Sequence, residues 1–349
     1  MMKGIFSVLW MAPGMALGEL APMNGHIDIL PRYLNGQWSW SLDAPSPIGL
    51  VAAGQHYFPG VDGDFFADEG IRFTRPEGDF WDILGVAEEE PLWIFPESIP
   101  SGYEGAWLGL GDTQTGVFSG VVRLSLLGVD GPPGGHFTMF RDDGAVIFAT
   151  ADGITAADAF NKPAFHTHVS WGFSKKGLWR VRIVASAFLG PGQTNPTGPS
   201  PASPLYFAIG NQARWRAEQF DAAVVMNDAI AGSDADPDAD GLVNALEYVL
   251  GGDPNSGSGV GPVHGGSIHP QAGMNAGKLT ITFHRRQDSS SDMDLQPIAE
   301  WAYSLNGPWI PGGTVLSVVP LAGGWERVTL RDASGDVAKF ARIRAVPVP

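Results

Sequence analysis

Apolar and polar residues alternate with a period of two along many short stretches of this chain, the signature of half-buried strands. From Leu178 to Ala187, Trp179, Val181, Ile183 and Ala185 share one face while Arg180 and Arg182 share the other. Val117–Leu127 and His136–Phe140 read the same way, as do Leu279, Ile281 and Phe283 set between Lys278, Thr280 and Thr282. Turn formers fall between these runs: Asn35-Gly36, Asp142-Asp143-Gly144, Asp152-Gly153 and Lys175-Lys176-Gly177. The pattern predicts an all-β protein, with an antiparallel β-sandwich or jelly roll over residues 24–188 and a small β-sandwich over 278–349. Pro, Gly and Ser dominate 189–204, which reads as a linker, and 255–277 reads as a second one. Between them, 205–254 forms a junction with helical character from Trp215 to Ile230. A short exiting helix over Leu242–Leu250 is stopped by Gly251-Gly252-Asp253-Pro254.

Composition sharpens this picture. The 47 glycines and 28 prolines among 349 residues suit short strands joined by tight turns. A net charge of −16 argues against nucleic acid and anionic membrane as partners, since both need a cationic surface. The chain holds no cysteine, which removes disulfides and thiolate metal sites. Met1 to Gly18 reads as a secretory signal: Lys3, an apolar run, then Ala16-Leu17-Gly18 as a small-x-small cleavage site. A secreted or cell-surface location follows as an expectation. The run is too short to span a bilayer, and no other segment approaches the ~20 apolar residues a span needs.

The junction carries a complete calcium loop. Asp236, Asp238, Asp240, Asn244 and Glu247 place side-chain oxygens at positions 1, 3, 5, 9 and 12, Gly241 occupies position 6, and Leu242 offers its carbonyl at position 7. Ca²⁺ takes about six to eight hard oxygen ligands, the glycine permits the sharp turn, and the final Glu chelates through both oxygens. The loop contains no reactive group, so its expected role is to staple a domain junction.

A second constellation is built on histidine. If Val169, Trp171 and Phe173 face the core, His166 and His168 point to the opposite side. In the N-terminal strand, Ile27 and Ile29 face inward and leave His26 and Asp28 on the other face. Three neutral imidazoles and a carboxylate make a four-coordinate site suited to zinc, copper or nickel. His136 is a further candidate ligand, with His56 behind it. His264, His269 and His284 read as solvated.

His26-Ile27-Asp28-Ile29, Pro91 to Ser98, Tyr103 through Leu108-Gly109-Leu110-Gly111, Gly135-His136-Phe137, Ala149 to Ile154 and His166 to Ser174 occur in that order. Together they resemble the choice-of-anchor M domain, also called the actinobacterial surface-anchored protein domain, over about residues 24–188. The resemblance implies an exported, non-catalytic surface module that handles zinc or a similar ion alongside a metal-transport system or other cell-envelope components. Its His-x-His and Gly-His-x-Asp signatures fall on His166, His168, His26 and Asp28. The stretch from Trp215 to Pro254 looks like the junction of large exported proteins with a thrombospondin-type-3-like calcium loop. A competing reading is a glycan- or protein-binding adhesion module on a calcium-rigidified stalk, drawing on Trp38 and Trp40 as a stacking face. A metal-dependent hydrolase is the weakest reading: the chain has no Gly-x-Ser-x-Gly elbow, His-Glu-x-x-His helix or phosphate loop.

Overall fold

A computed structural model describes residues 22–23, 25–43, 56–57, 65–68, 72–103, 105–111, 117–162, 166–190, 193–221, 223–287, 293–333 and 340–348. The signal-like residues 1–18 lie outside them. The protein is mostly β, with 45% of residues in strands and 10% in helices, arranged in sandwich-like, mostly antiparallel sheets.

Three sheets build the N-terminal unit. A six-stranded sheet runs in the order Pro22–Met23, Phe65–Asp68, Ser203–Ile209, Gly177–Ala187, Val122–Asp130, Ala159–Lys162. A five-stranded sheet runs Val146–Ala149, Phe137–Phe140, Ser170–Phe173, Pro91–Phe95, Arg72–Thr74. The third, which carries the histidines, runs Thr167–His168, Ala106–Leu110, Gly25–Leu34, Gln37–Asp43, His56–Tyr57. The inward residues of all three meet in one core that includes Ile27, Ile29, Leu108, Trp171, Phe173, Trp179, Val181 and Phe207. The alternation read along Leu178–Ala187 is therefore the real buried face. Trp38 and Trp40 also turn toward this core: Trp40 is buried and donates to Ser200 Oγ and the Pro201 carbonyl, and Trp38 stacks on Phe118.

Two boundaries differ from the sequence reading. The tract 189–204 does not separate domains, because Ser203–Ile209 returns to pair with Gly177–Ala187 from Ile183↔Ser203 to Gly177↔Ile209. It is a long connection between adjacent strands, anchored where Ala187 and Thr197 exchange hydrogen bonds. The second tract likewise ends in a strand, Gln271–Asn275, paired with Lys278–Arg286. Composition reports that a segment lacks core material, but it cannot report whether the chain returns to the sheet it left.

Three helices make the junction: α1 (Asn211–Gln219), α2 (Asp228–Ala231) and α3 (Asn244–Leu250). α1 packs its Ala213 and Ala217 against Leu178, Tyr206 and Ala208 of the N-terminal unit. α3 sends Tyr248, Val249 and Leu250 into a different core, with Ile281, Phe283, Trp301, Val328 and Ile343. That core lies between the four-stranded sheet Gln271–Asn275, Lys278–Arg286, Trp325–Arg331, Thr314–Pro320 and the three-stranded sheet Ile310–Pro311, Leu295–Ala302, Phe340–Pro347.

Within the C-terminal unit, buried Glu300 accepts from Arg342 Nε at 2.8 Å and Arg344 Nε at 3.0 Å. Burial alone would raise its pKa, but the hydrogen bonds from Arg344 and Arg342 outweigh it and hold the carboxyl below the usual range. A depressed folded value gives stability that is full above the unfolded value and lost as pH falls through the folded one. Glu300→Gln should therefore flatten the acid limb of the stability curve, by about 1 kcal/mol because both arginines are largely exposed. Urea melts between pH 5 and pH 2 measure it, and an unchanged acid limb refutes it.

Candidate metal centres

The histidine site is built on the strand Ala106–Leu110, which has a candidate ligand strand on each side. Parallel pairing sets His26 beside Trp107 and Asp28 beside Gly109, and antiparallel pairing sets His168 beside Gly109 from the other flank. Leu108 and Leu110 point into the core, so Trp107 and Gly109 share the outer face with the ligands. The ring nitrogens of His26, His166 and His168 can all lie within 4.8 Å of one another. His26 Nε2 is 3.1 Å from His166 Nε2, and Asp28 Oδ1 is 2.8 Å from His166 Nε2 and 3.2 Å from His26 Nε2. With metal–ligand bonds of about 2.0–2.1 Å, ligands on a tetrahedral ion sit about 3.3 Å apart. The spacing among His26, Asp28 and His166 is close to that, and His168 offers a nitrogen within 4.8 Å of the other two imidazoles.

Each surrounding group has an identifiable task. His168 Nδ1 donates to the Leu108 carbonyl at 3.0 Å, which fixes the tautomer and leaves Nε2 as a lone pair. That Nε2 is buried and has no hydrogen-bond partner among the described residues. Burial is the main reason the His168 pKa falls to about 4; His166 and His26 push the same way, against the Leu108 hydrogen bond and Asp28. The ring is thus neutral at physiological pH, with its Nε2 lone pair unprotonated. Trp107 stacks flat on it, with centroids 3.8 Å apart and planes 4° apart, and also meets His26 at 4.7 Å. Its Nε1 donates to the Glu97 carbonyl, which holds the indole against both imidazoles. Gly109 supplies the space: a Cβ there would stand 2.0 Å from Asp28 Oδ1 and 2.7 Å from His166 Nε2.

The calcium loop is built by a different division of oxygens. Asp236 Oδ2 accepts from Gly241 N, Asp238 Oδ1 from Asp240 N, and Asp240 Oδ1 from Leu242 N. Each aspartate commits one oxygen to the turn, and Gly241 at φ +94° makes that turn possible. The other oxygens, Asp236 Oδ1, Asp238 Oδ2 and Asp240 Oδ2, are buried and without a hydrogen-bond partner among the described residues. Asn244 Nδ2 donates to the Ile230 and Gly232 carbonyls, so its Oδ1 turns inward and is likewise without one. Glu247 is fully buried, and neither of its carboxylate oxygens has one. Six such oxygens in one place is far more than folded proteins tolerate without compensation. Burial first, then Asp238, Asp240, Asp253 and Asp236, raise the Glu247 pKa to about 8. His269 Nε2 approaches Asp240 Oδ2 at 3.5 Å, the one cation-capable group paired with the loop carboxylates among the described residues. The residues present fit a divalent oxygen-seeking cation.

No family model matches the chain, and no curated protein matches it.

Of the candidate zinc or copper ligands, His26, Asp28, His166 and His168 come together and His136 does not. His136 precedes the strand Phe137–Phe140, which belongs to the other five-stranded sheet. Its N–H donates to Ser174 Oγ and its ring covers Gly85. The side chain of His56 lies outside the described residues. His284 is not solvated: it is buried beneath Gly266, with its ring 4.3 Å from that of His264. Sequence reasoning missed Trp107 and Gly109. Trp107-Leu108-Gly109-Leu110-Gly111 carries a signal for them, since inward leucines put the tryptophan and both glycines on one outer face.

Proposed function

We propose that this chain is an exported, surface-associated and non-catalytic metal-binding module. His26, Asp28, His166 and His168 hold zinc or copper, and Asp236, Asp238, Asp240, Leu242, Asn244 and Glu247 hold a structural calcium ion. The observation that carries the reading is the buried lone pair of His168 Nε2, oriented by Leu108, in a ring that offers a nitrogen within 4.8 Å of those of His26 and His166, with Asp28 against those two over a side-chain-free floor. An imidazole kept neutral and pre-oriented in this way is how proteins prepare a first-row metal ligand. The nitrogen and carboxylate donor set, with no thiolate, suits zinc or copper(II). The signal-like leader and the likeness to the choice-of-anchor M domain support export and a surface role. Metal-transport systems and cell-envelope components are the partners this reading implies. Among the described residues no helix is long and apolar enough to cross a membrane.

Calorimetric titration of metal-stripped protein with Zn²⁺ and Cu²⁺ tests the histidine site. One equivalent binds in the wild type, and a His166→Ala/His168→Ala double variant loses at least about 100-fold in affinity, having lost two of four ligands. Absence of binding, or binding unchanged in the double variant, overturns the proposal.

A further inference from the structure

Among the described residues, the strand Thr314–Pro320 is the end of the four-stranded C-terminal sheet and pairs on one side only, with Trp325–Arg331. All seven of its residues are exposed, so neither face is covered by the opposing three-stranded sheet. Of the seventeen exposed large apolar residues among those described, seven lie between Tyr303 and Val319: Tyr303, Leu305, Ile310, Val315, Leu316, Val318 and Val319. Residues 301–325 include no Asp, Glu, Lys or Arg, in a chain whose net charge is −16. Soluble proteins normally blunt such an edge with lysines, inward charges or proline. Here the blunting is slight: one bulge between Val315 and Ser317, and Pro320 at the strand's end.

We propose that this edge is a two-fold interface at which a second copy of the chain adds its own Thr314–Pro320 strand in antiparallel register, making one continuous eight-stranded sheet. The sequence of the edge is self-complementary under that operation. With Ser317 opposite its own copy, Leu316 faces Val318, Val315 faces Val319, and Thr314 faces Pro320, whose missing N–H then falls at the end of the ladder. The next strand is consistent with it. Arg331 sits beside Thr314 and Glu326 beside Pro320, so two-fold pairing sets Arg331 of each copy in the row of the other copy's Glu326. Parallel addition would set like charges in the same rows. Two molecules of charge −16 repel over most of their surfaces, and the uncharged edge is where approach costs least. Association is therefore tighter at higher salt, where that repulsion is screened.

Sedimentation of the full chain, from about 1 µM to about 1 mM, tests the interface across the usual range of weak association. The expected result is a monomer–dimer equilibrium that stops at two copies and strengthens with salt. Ser317→Lys and Ser317→Glu, placed on the two-fold axis, each weaken the dimer at least tenfold. An equimolar mixture of the two restores it, which a folding defect cannot do. Three results each overturn the proposal: a wild type that stays monomeric, assembly that continues past the dimer, and variants that dimerise as the wild type does.

Discussion

Gly109→Ala removes zinc or copper binding while leaving the protein folded. The added methyl would sit 2.0 Å from Asp28 Oδ1 and 2.7 Å from His166 Nε2, in the space on which the four ligands converge. Both clashing groups are side-chain ends, so the chain escapes by rotating Asp28 and His166 outward, which is the same as dismantling the site. Overpacking of this kind costs about 1–3 kcal/mol where the surroundings give way, and two lost ligands cost at least about 100-fold in affinity. Far-ultraviolet circular dichroism stays that of the wild type, while calorimetry with Zn²⁺ or Cu²⁺ shows no heat at concentrations that saturate the wild type. If the Gly109→Ala protein binds metal normally, the ion sits elsewhere.

Gly109 also marks where reading the sequence reached and where it stopped. Period-two alternation correctly assigned Ile27, Ile29, Trp171 and Phe173 to the core and turned His26, Asp28, His166 and His168 away from it. One premise behind that assignment does not hold, because His166 to Phe173 is not a single strand. Thr167–His168 pairs with Ala106–Leu110, whereas Ser170–Phe173 belongs to the sheet of Phe137–Phe140, with Val169 at the crossing. The parity survives because the bend keeps Val169 buried. What alternation could not supply is adjacency: the two ligand strands do not touch but flank a third. Only the topology reveals that a Trp-x-Gly on that strand supplies the wall and the floor. His136 fails for the same reason, since its local pattern matches that of a ligand but its strand is in another sheet. The convergence of the loop oxygens was legible because their residues lie within twelve consecutive positions, and spacing there is geometry; that the loop holds calcium is the proposal.

That loop also sets the pH response of the whole junction. In chelator, four acidic side chains converge, and burial with the neighbouring aspartates holds Glu247 near pKa 8 against an ordinary 4.5. A carboxyl whose folded value is raised gives stability that is full below the unfolded value and lost as pH climbs through the folded one. Through Glu247, calcium-free protein should therefore lose stability between about pH 4.5 and pH 8, on the order of 5 kcal/mol in all. On the proposed reading calcium binds the ionised form and reverses the trend: with a Kd near about 10⁻⁴–10⁻³ M, about 10 mM Ca²⁺ returns about 1.4–2.7 kcal/mol. The loss is felt across both units, since α3 offers Asn244 and Glu247 to the loop while burying Tyr248, Val249 and Leu250 in the C-terminal core. Thermal melts at pH 5 and pH 8, with calcium and with chelator, measure the difference. Proteolysis around Ser256 reports it locally, with faster cleavage in chelator at the higher pH. Glu247→Gln separates the causes: without the titrating carboxylate the chelated protein no longer loses stability to this group between pH 5 and pH 8, and without bidentate chelation the calcium response falls at least about tenfold. A Glu247→Gln protein that keeps the wild-type calcium response, or whose chelated stability changes between pH 5 and pH 8 as the wild type's does, contradicts the assignment of Glu247 as the closing ligand.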